Sequence, residues 1–187
     1  KLDVNSQNRF LSREYLADRL PVCTVIGFPN GSTTTAAKVF EAQDAVRNGA
    51  SELDMVIQLG WLKEGRDEHV LHEIRRVRET CPGSILKVIV ETCLLTDSEK
   101  IRMCGIVGEA GADYIKTSTG FSTGGATPQD VRLLAEHAPA GLKVKAAGGI
   151  RSPQDAEELL RLGASRLGTS AAARWIETEN LQNQGGY

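Results

Sequence analysis

Four ionisable residues stand among apolar neighbours in four consecutive β-rich runs: Asp54 in ELDMVI, Lys87 in ILKVIVET, Lys116 in DYIKTS and Lys145 in LKVKAA. An unpaired buried charge is expensive, so an ammonium placed in such a run either meets a partner or does chemistry. Three ammonium groups near one carboxylate repel one another, and burial adds to the effect, so at least one lysine is expected in its neutral, nucleophilic form. A neutral amine in a pocket attacks a carbonyl and forms a Schiff base. Asp54 then serves as proton relay or hydrogen-bond anchor, keeping a second lysine charged beside the first. Glu91, two residues beyond Ile89 and four beyond Lys87, is expected on their face as an auxiliary charge that neutralises Lys87. Lys143, two residues before Lys145, reads as structural. A lone strand lysine more often snorkels from the end of a sheet; charges on four successive strands point instead to one shared interior.

Glycine-rich joints follow the same runs. In AGGIRSP, Gly148 and Gly149 let backbone N–H groups approach a ligand, Arg151 adds a fixed charge, and Ser152-Pro153 opens a helix whose N-terminus favours anions. RLGTSAA supplies Gly168, Thr169 and Ser170, and STGFSTGG supplies Gly120 directly after Lys116. Each alone reads as a turn; together they predict a pocket for a phosphorylated small molecule.

These residues need elements to position them. Short β-rich runs at 23–28, 52–57, 85–92, 113–118, 142–147 and 166–170 alternate with amphipathic helical segments at about 33–48, 65–80, 97–110, 128–137 and 153–162. LDV at 2–4 reads as the tail of one more strand, and 11–19 as an earlier helix. Thr127-Pro128 and Ser152-Pro153 carry start signals, and Gly49-Ala50, Gly111-Ala112 and Gly163-Ala164 mark helix-to-strand joints. Strict alternation with short joints means parallel strands with crossover helices, in an open doubly wound sheet or a (β/α)8 barrel. No G-x-G-x-x-G follows the first clear strand, so the TIM barrel is favoured, as a single domain over 1–180 with a flexible tail at 181–187.

Composition narrows the function classes. With 187 residues, 41% hydrophobic and 25% charged, the chain suffices for one buried core. A net charge of -2 without basic clusters argues against nucleic acid. No long apolar run or leader peptide is seen, so no membrane partner is expected and the cytoplasm is the expected address. The four cysteines lack C-x-x-C spacing and read as free thiols. His69 and His72 lack a third ligand and read as a solvated face, His137 as a helix-end residue, and Trp61 and Trp175 as packing residues. Catalysis without metal or cofactor is expected.

In order along the chain, CTVIGFPNG, GASELDMVI, LKVIVET, GADYIKTSTGF, VKAAGGIRS and LGTS resemble the deoxyribose-phosphate aldolase family, class I aldolases on a TIM barrel, from Val22 to Ser170. The resemblance implies reversible cleavage of 2-deoxyribose 5-phosphate into glyceraldehyde 3-phosphate and acetaldehyde. By motif it assigns Lys116 as the Schiff-base lysine, Lys145 as the charged lysine that perturbs it, and Asp54 as the relay acid. It places phosphate on Gly120, Gly148, Gly149, Arg151, Gly168 and Ser170. Members often end in a mobile tail closing with tyrosine, and this chain ends QGGY, which nominates Tyr187. The family's first strand and helix, with their D-H-T-type motif, are absent, and Asp3 stands where members usually have cysteine. Residues are expected ahead of Lys1. Two readings of other classes stay open: a phosphosugar-binding barrel without turnover, and a sugar-phosphate isomerase with Asp54 or Glu91 as base. Oligomeric state is left open, with a homodimer as one option.

Overall fold

Among the described residues the alternating runs form one parallel sheet of seven strands hydrogen-bonded in chain order. The structure, a computed structural model, describes residues 2–4 and 20–175. The strands are β1 Leu2–Val4, β2 Val22–Ile26, β3 Glu52–Val56, β4 Ile85–Ile89, β5 Tyr114–Lys116, β6 Lys143–Ala147 and β7 Ala164–Gly168. The helices are α1 Thr35–Arg47, α2 Leu59–Lys63, α3 Asp67–Thr80, α4 Asp97–Glu109, α5 Pro128–His137 and α6 Pro153–Arg161. LDV is a strand as expected. The helix expected at 11–19, the tail at 181–187 and the domain end at 176–180 lie outside the described residues. An eighth strand closing the ring is not among the seven.

Alternation within each strand separates two chemistries. Leu53, Met55, Leu86, Val88, Ile115, Val144 and Ala146 face the helices and join their apolar stripes in one buried cluster. Asp54, Lys87, Lys116 and Lys145 occupy the opposite face, because register pairs Asp54 with Lys87 and Lys116 with Lys145. That face must be concave. Three strand spacings separate β3 from β6, about 14 Å on a flat sheet, yet Lys145 Nζ lies 2.6 Å from Asp54 Oδ2. Only a sheet curled as in a barrel closes that gap.

The sequence signals for the helices act as expected. Thr127 and Ser152 cap α5 and α6, each with proline in the first turn, and Thr96 caps α4 with a reciprocal Glu99 bond. Two elements depart from the sequence reading. The short α2 carries no periodic stripe long enough to read. The last strand starts at Ala164 rather than Arg166 and ends at Gly168, because the β6–β7 ladder shifts register between Val144 and Lys145 and recruits the joint residues. Thr169 and Ser170 thereby fall in the loop.

One buried ion pair outside the concave face was not legible. Lys38 of α1 donates to Glu73 of α3 at 2.8 Å with both side chains fully buried, and also to Val56 O at 2.8 Å. Glu73 in turn accepts from Gln58 N at 3.0 Å, so the pair ties two helices to the end of β3. Burial pushes the Lys38 ammonium down and the Glu73 carboxyl up, and their mutual attraction opposes both shifts. Lys38→Ala leaves a buried carboxylate without its counter-ion and is expected to cost about 3–5 kcal/mol in urea denaturation, whereas Lys38→Met with Glu73→Leu recovers part of that loss. A double variant as unstable as the single would contradict this account.

Candidate active site

Asp54 is the hub of the concave face. Its Oδ2 accepts from Lys116 Nζ at 2.8 Å and Lys145 Nζ at 2.6 Å, and its Oδ1 from Lys87 Nζ at 2.8 Å. Cys23 Sγ of β2 lies 3.3 Å from Oδ1. Burial alone would raise the Asp54 carboxyl, but the fields of Lys116, Lys145 and Lys87 outweigh it and hold the group well below the usual carboxylate range.

Two further charges extend the network toward the N-terminal ends of the strands. Lys87 also contacts Glu52 at 2.6 Å, and Arg166 of β7 reaches the same Glu52 carboxylate at 2.5 Å while lying over the Tyr114 ring. Glu52 and Arg166 were missed in the sequence, although Glu52 stands two residues before Asp54 and alternation puts the two on one face. Lys143 is exposed near Tyr114, consistent with a structural role.

Glu91 does not neutralise Lys87. The chain leaves β4 at Ile89, and Glu91 adopts the left-handed region at φ 57, at a cost of about 1–3 kcal/mol. Its carboxylate thereby rises to the mouth of the concave face, where it accepts from Thr119 Oγ1 at 2.5 Å and Thr119 N at 3.3 Å.

Of the three lysines on Asp54, Lys116 alone lines the open cleft, a cavity of about 660 Å³ at the C-terminal ends of β5 to β7. Gly120, Gly148, Gly149, Gly168 and Ser170 line it as well. Gly148 has φ 83, and Gly125 packs so closely that a Cβ there would stand 2.4 Å from Gly148 O. Two glycines therefore let the loop after β5 close on the turn after β6. Arg151 is exposed and is not among the lining residues. The α6 N-terminus is already occupied: Asp155 accepts from Arg151 N and Ser152 N, each at 3.0 Å, and donates its own N–H to Ser152 Oγ. The anion preference expected there is met from within the chain. A smaller hollow of about 210 Å³ adjoins the cleft and shares Thr119 and Phe121 with it.

The histidine candidates are peripheral. His69 packs near Trp61, and His137 Nδ1 bonds Leu133 O at 2.9 Å. Cys23, Cys81, Cys93 and Cys104 form no disulfide among the described residues, and burial pushes the Cys104 thiol up to about 11. Tyr187 lies outside the described residues. No helix among the described residues is long and apolar enough to cross a membrane.

A curled parallel α/β sheet with helices on its convex face and a charged cleft at the C-terminal strand ends defines the β/α barrel class. Residues 5–172 match the family described as DeoC/LacD family aldolase. The chain is 56% identical over 169 residues to a deoxyribose-phosphate aldolase of Streptococcus agalactiae, covering 90% of this chain and 76% of the relative. Among solved structures, "QR15, an Aldolase" superposes with a TM-score of 0.90 at 40% identity, covering 96% of this chain and 82% of that one. A deoxyribose phosphate aldolase from Aeropyrum pernix, described as tetrameric, gives 0.88 at 35% identity, covering 95% and 76%. The chain belongs to the DeoC/LacD aldolase family, and within it to the deoxyribose-phosphate aldolases, which are carbon–carbon lyases.

The depressed Asp54 carboxyl links the cluster to pH. Its folded pKa lies below the ordinary value of 3.8, so the ionised group adds stability above that pH that is lost as pH falls through the folded value. Asp54→Asn is expected to lower Tm at neutral pH, with the gap to the native protein starting to narrow below about pH 4 and closing only as pH falls through the depressed folded value. Parallel Tm–pH curves down to acid would show that the cluster does not depend on this ionisation.

Proposed function

We propose that this chain reversibly cleaves 2-deoxy-D-ribose 5-phosphate into D-glyceraldehyde 3-phosphate and acetaldehyde through an imine on Lys116. The observation that carries the reading is the position of Lys116, which alone among the three lysines on Asp54 opens into the cleft. The ammonium groups of Lys87, Lys116 and Lys145 all stand within 2.8 Å of the Asp54 carboxylate, so Lys116 meets the cleft with a proton acceptor and two neighbouring cations beside it.

The neutral Lys116 amine adds to C1 of the open-chain sugar, and the carbinolamine hydroxyl leaves as water, giving an iminium. Removal of the C3 hydroxyl proton then breaks the C2–C3 bond. C3 becomes the aldehyde of glyceraldehyde 3-phosphate, and the bonding pair forms the C1–C2 double bond of an enamine on Lys116. Protonation at C2 and addition of water release acetaldehyde and restore the amine. Asp54 Oδ2, bridging Lys116 and Lys145, relays protons within the cluster, and Lys145 supplies the permanent positive charge beside the imine. Tyr187 is the nominee for delivering the proton to C2.

The phosphate is held by the backbone at Gly120, Gly148 and Gly149 and by Gly168 and Ser170, which share the cleft with Lys116. Arg151 contributes long-range charge from outside the lining. The isomerase reading is weakened by its bases: Asp54 is 1% exposed beneath three lysines, and Glu91 is engaged by Thr119. Incubation with acetaldehyde and borohydride is expected to add the mass of one ethyl group to the native protein and none to a folded Lys116→Ala variant. An unmodified native protein, or equal modification of both, would sink the imine on Lys116.

A further inference from the structure

The proposed reaction leaves Glu91 without a part, yet its placement is costly. It is the one non-glycine residue with positive φ among those described, and the residue is 6% exposed. It sits as an extra residue between two continuing ladder bonds: Val90 N donates to Lys116 O at 3.0 Å and Thr92 N to Thr117 O at 2.8 Å. The bulge turns the carboxylate toward the chain just beyond the lysine strand. There both oxygens engage Thr119, through its hydroxyl and its amide. The same hydroxyl accepts from Phe121 N at 3.1 Å, and the Phe121 ring meets Phe28 edge-on at 5.3 Å between centroids. Cys93 Sγ approaches Glu91 Oε1 at 4.0 Å.

We propose that Glu91 is a positioning residue for phosphorylated substrates: its carboxylate clamps Thr119, and through it Gly120 and Phe121, as the wall of the Lys116 cleft. An ionised carboxylate suits the task because it offers acceptors for an N–H and an O–H together and no donor to compete. The segment it fixes contains Gly120 and faces the Gly148–Gly149 turn across the cleft, so loosening it opens the phosphate end while leaving Lys116 on its strand. This inference rests on the proposed aldolase reaction for its kinetic readout.

The test compares Glu91→Ala, Glu91→Gly and Glu91→Gln with the native enzyme on 2-deoxyribose 5-phosphate and on unphosphorylated 2-deoxyribose, together with amide exchange across 117–125. The alanine and glycine variants are expected to raise KM for the phosphorylated sugar about tenfold, more than they lower kcat, and to change KM for the free sugar less than about twofold. Glutamine, which keeps one acceptor oxygen, falls between. Glycine relieves the backbone strain and keeps the comparison readable if the alanine variant folds poorly. Equal effects on both sugars, or a loss confined to kcat, would overturn the assignment. Should the native protein turn over neither sugar, the aldolase reading fails and amide exchange decides alone: faster exchange at Thr119 and Phe121 in the variants supports the clamp, and unchanged exchange removes it.

Discussion

The Asp54 carboxylate, holding three lysine ammonium groups on the concave face of the sheet, is the constraint on which the rest of the structure depends. Lysines at 0%, 6% and 1% exposure at positions 87, 116 and 145 are tolerable only where a partner anion stands within hydrogen-bond distance. One carboxylate serves all three because it sits at the centre of curvature, where strands three apart come within side-chain reach. The curl is therefore a condition of the site as much as a property of the fold. Glu52 takes up the charge that Asp54 cannot, and Arg166 closes the series on the side away from the cleft.

With the concave face committed to charge, apolar burial moves to the convex face. Leu53, Met55, Leu86, Val88, Ile115 and Val144 pack against helices α1 and α3 to α6, and that cluster carries the hydrophobic stabilisation of the domain. The division keeps the charged cluster independent of the packing: strands present charged groups inward at alternate positions, and loops after the strands are free to shape the cleft. The loops are nevertheless anchored. The glycine contact between 125 and 148, the Asp155 cap on α6 and the Glu91 bulge each fix one joint at the mouth, by close approach, capping and local strain respectively.

Much of this was written locally. Period-two and helical spacing located the described strands and helices α1 and α3 to α6 but not α2, because burial on one face leaves a repeating pattern in the residues themselves. The four strand charges were visible for the same reason, as exceptions within apolar runs. The errors were of another kind. Glu91 was assigned to Lys87 by alternation, which fails where a bulge inserts one residue and a left-handed φ redirects the side chain. Ser152-Pro153 was read as an anion site, although Asp155, three residues on, is placed to fill it. Arg151 follows the Gly148–Gly149 turn in sequence but is exposed and is not among the residues that line the cleft.

The sequence by itself determined which residues could be buried, which could cap, and that Asp54, Lys87, Lys116 and Lys145 belong to one face, since propensity and alternation act over a few residues. Only the tertiary structure decided that Lys116 meets the cleft while Lys87 and Lys145 do not, that Glu52 and Arg166 complete the charge balance, and that Glu91 serves Thr119. Those outcomes depend on sheet curvature and strand register, which bring together residues up to 114 positions apart, as Glu52 and Arg166 are. Separation in space at that range is set by the summed geometry of the intervening strands, and no short stretch of sequence encodes it.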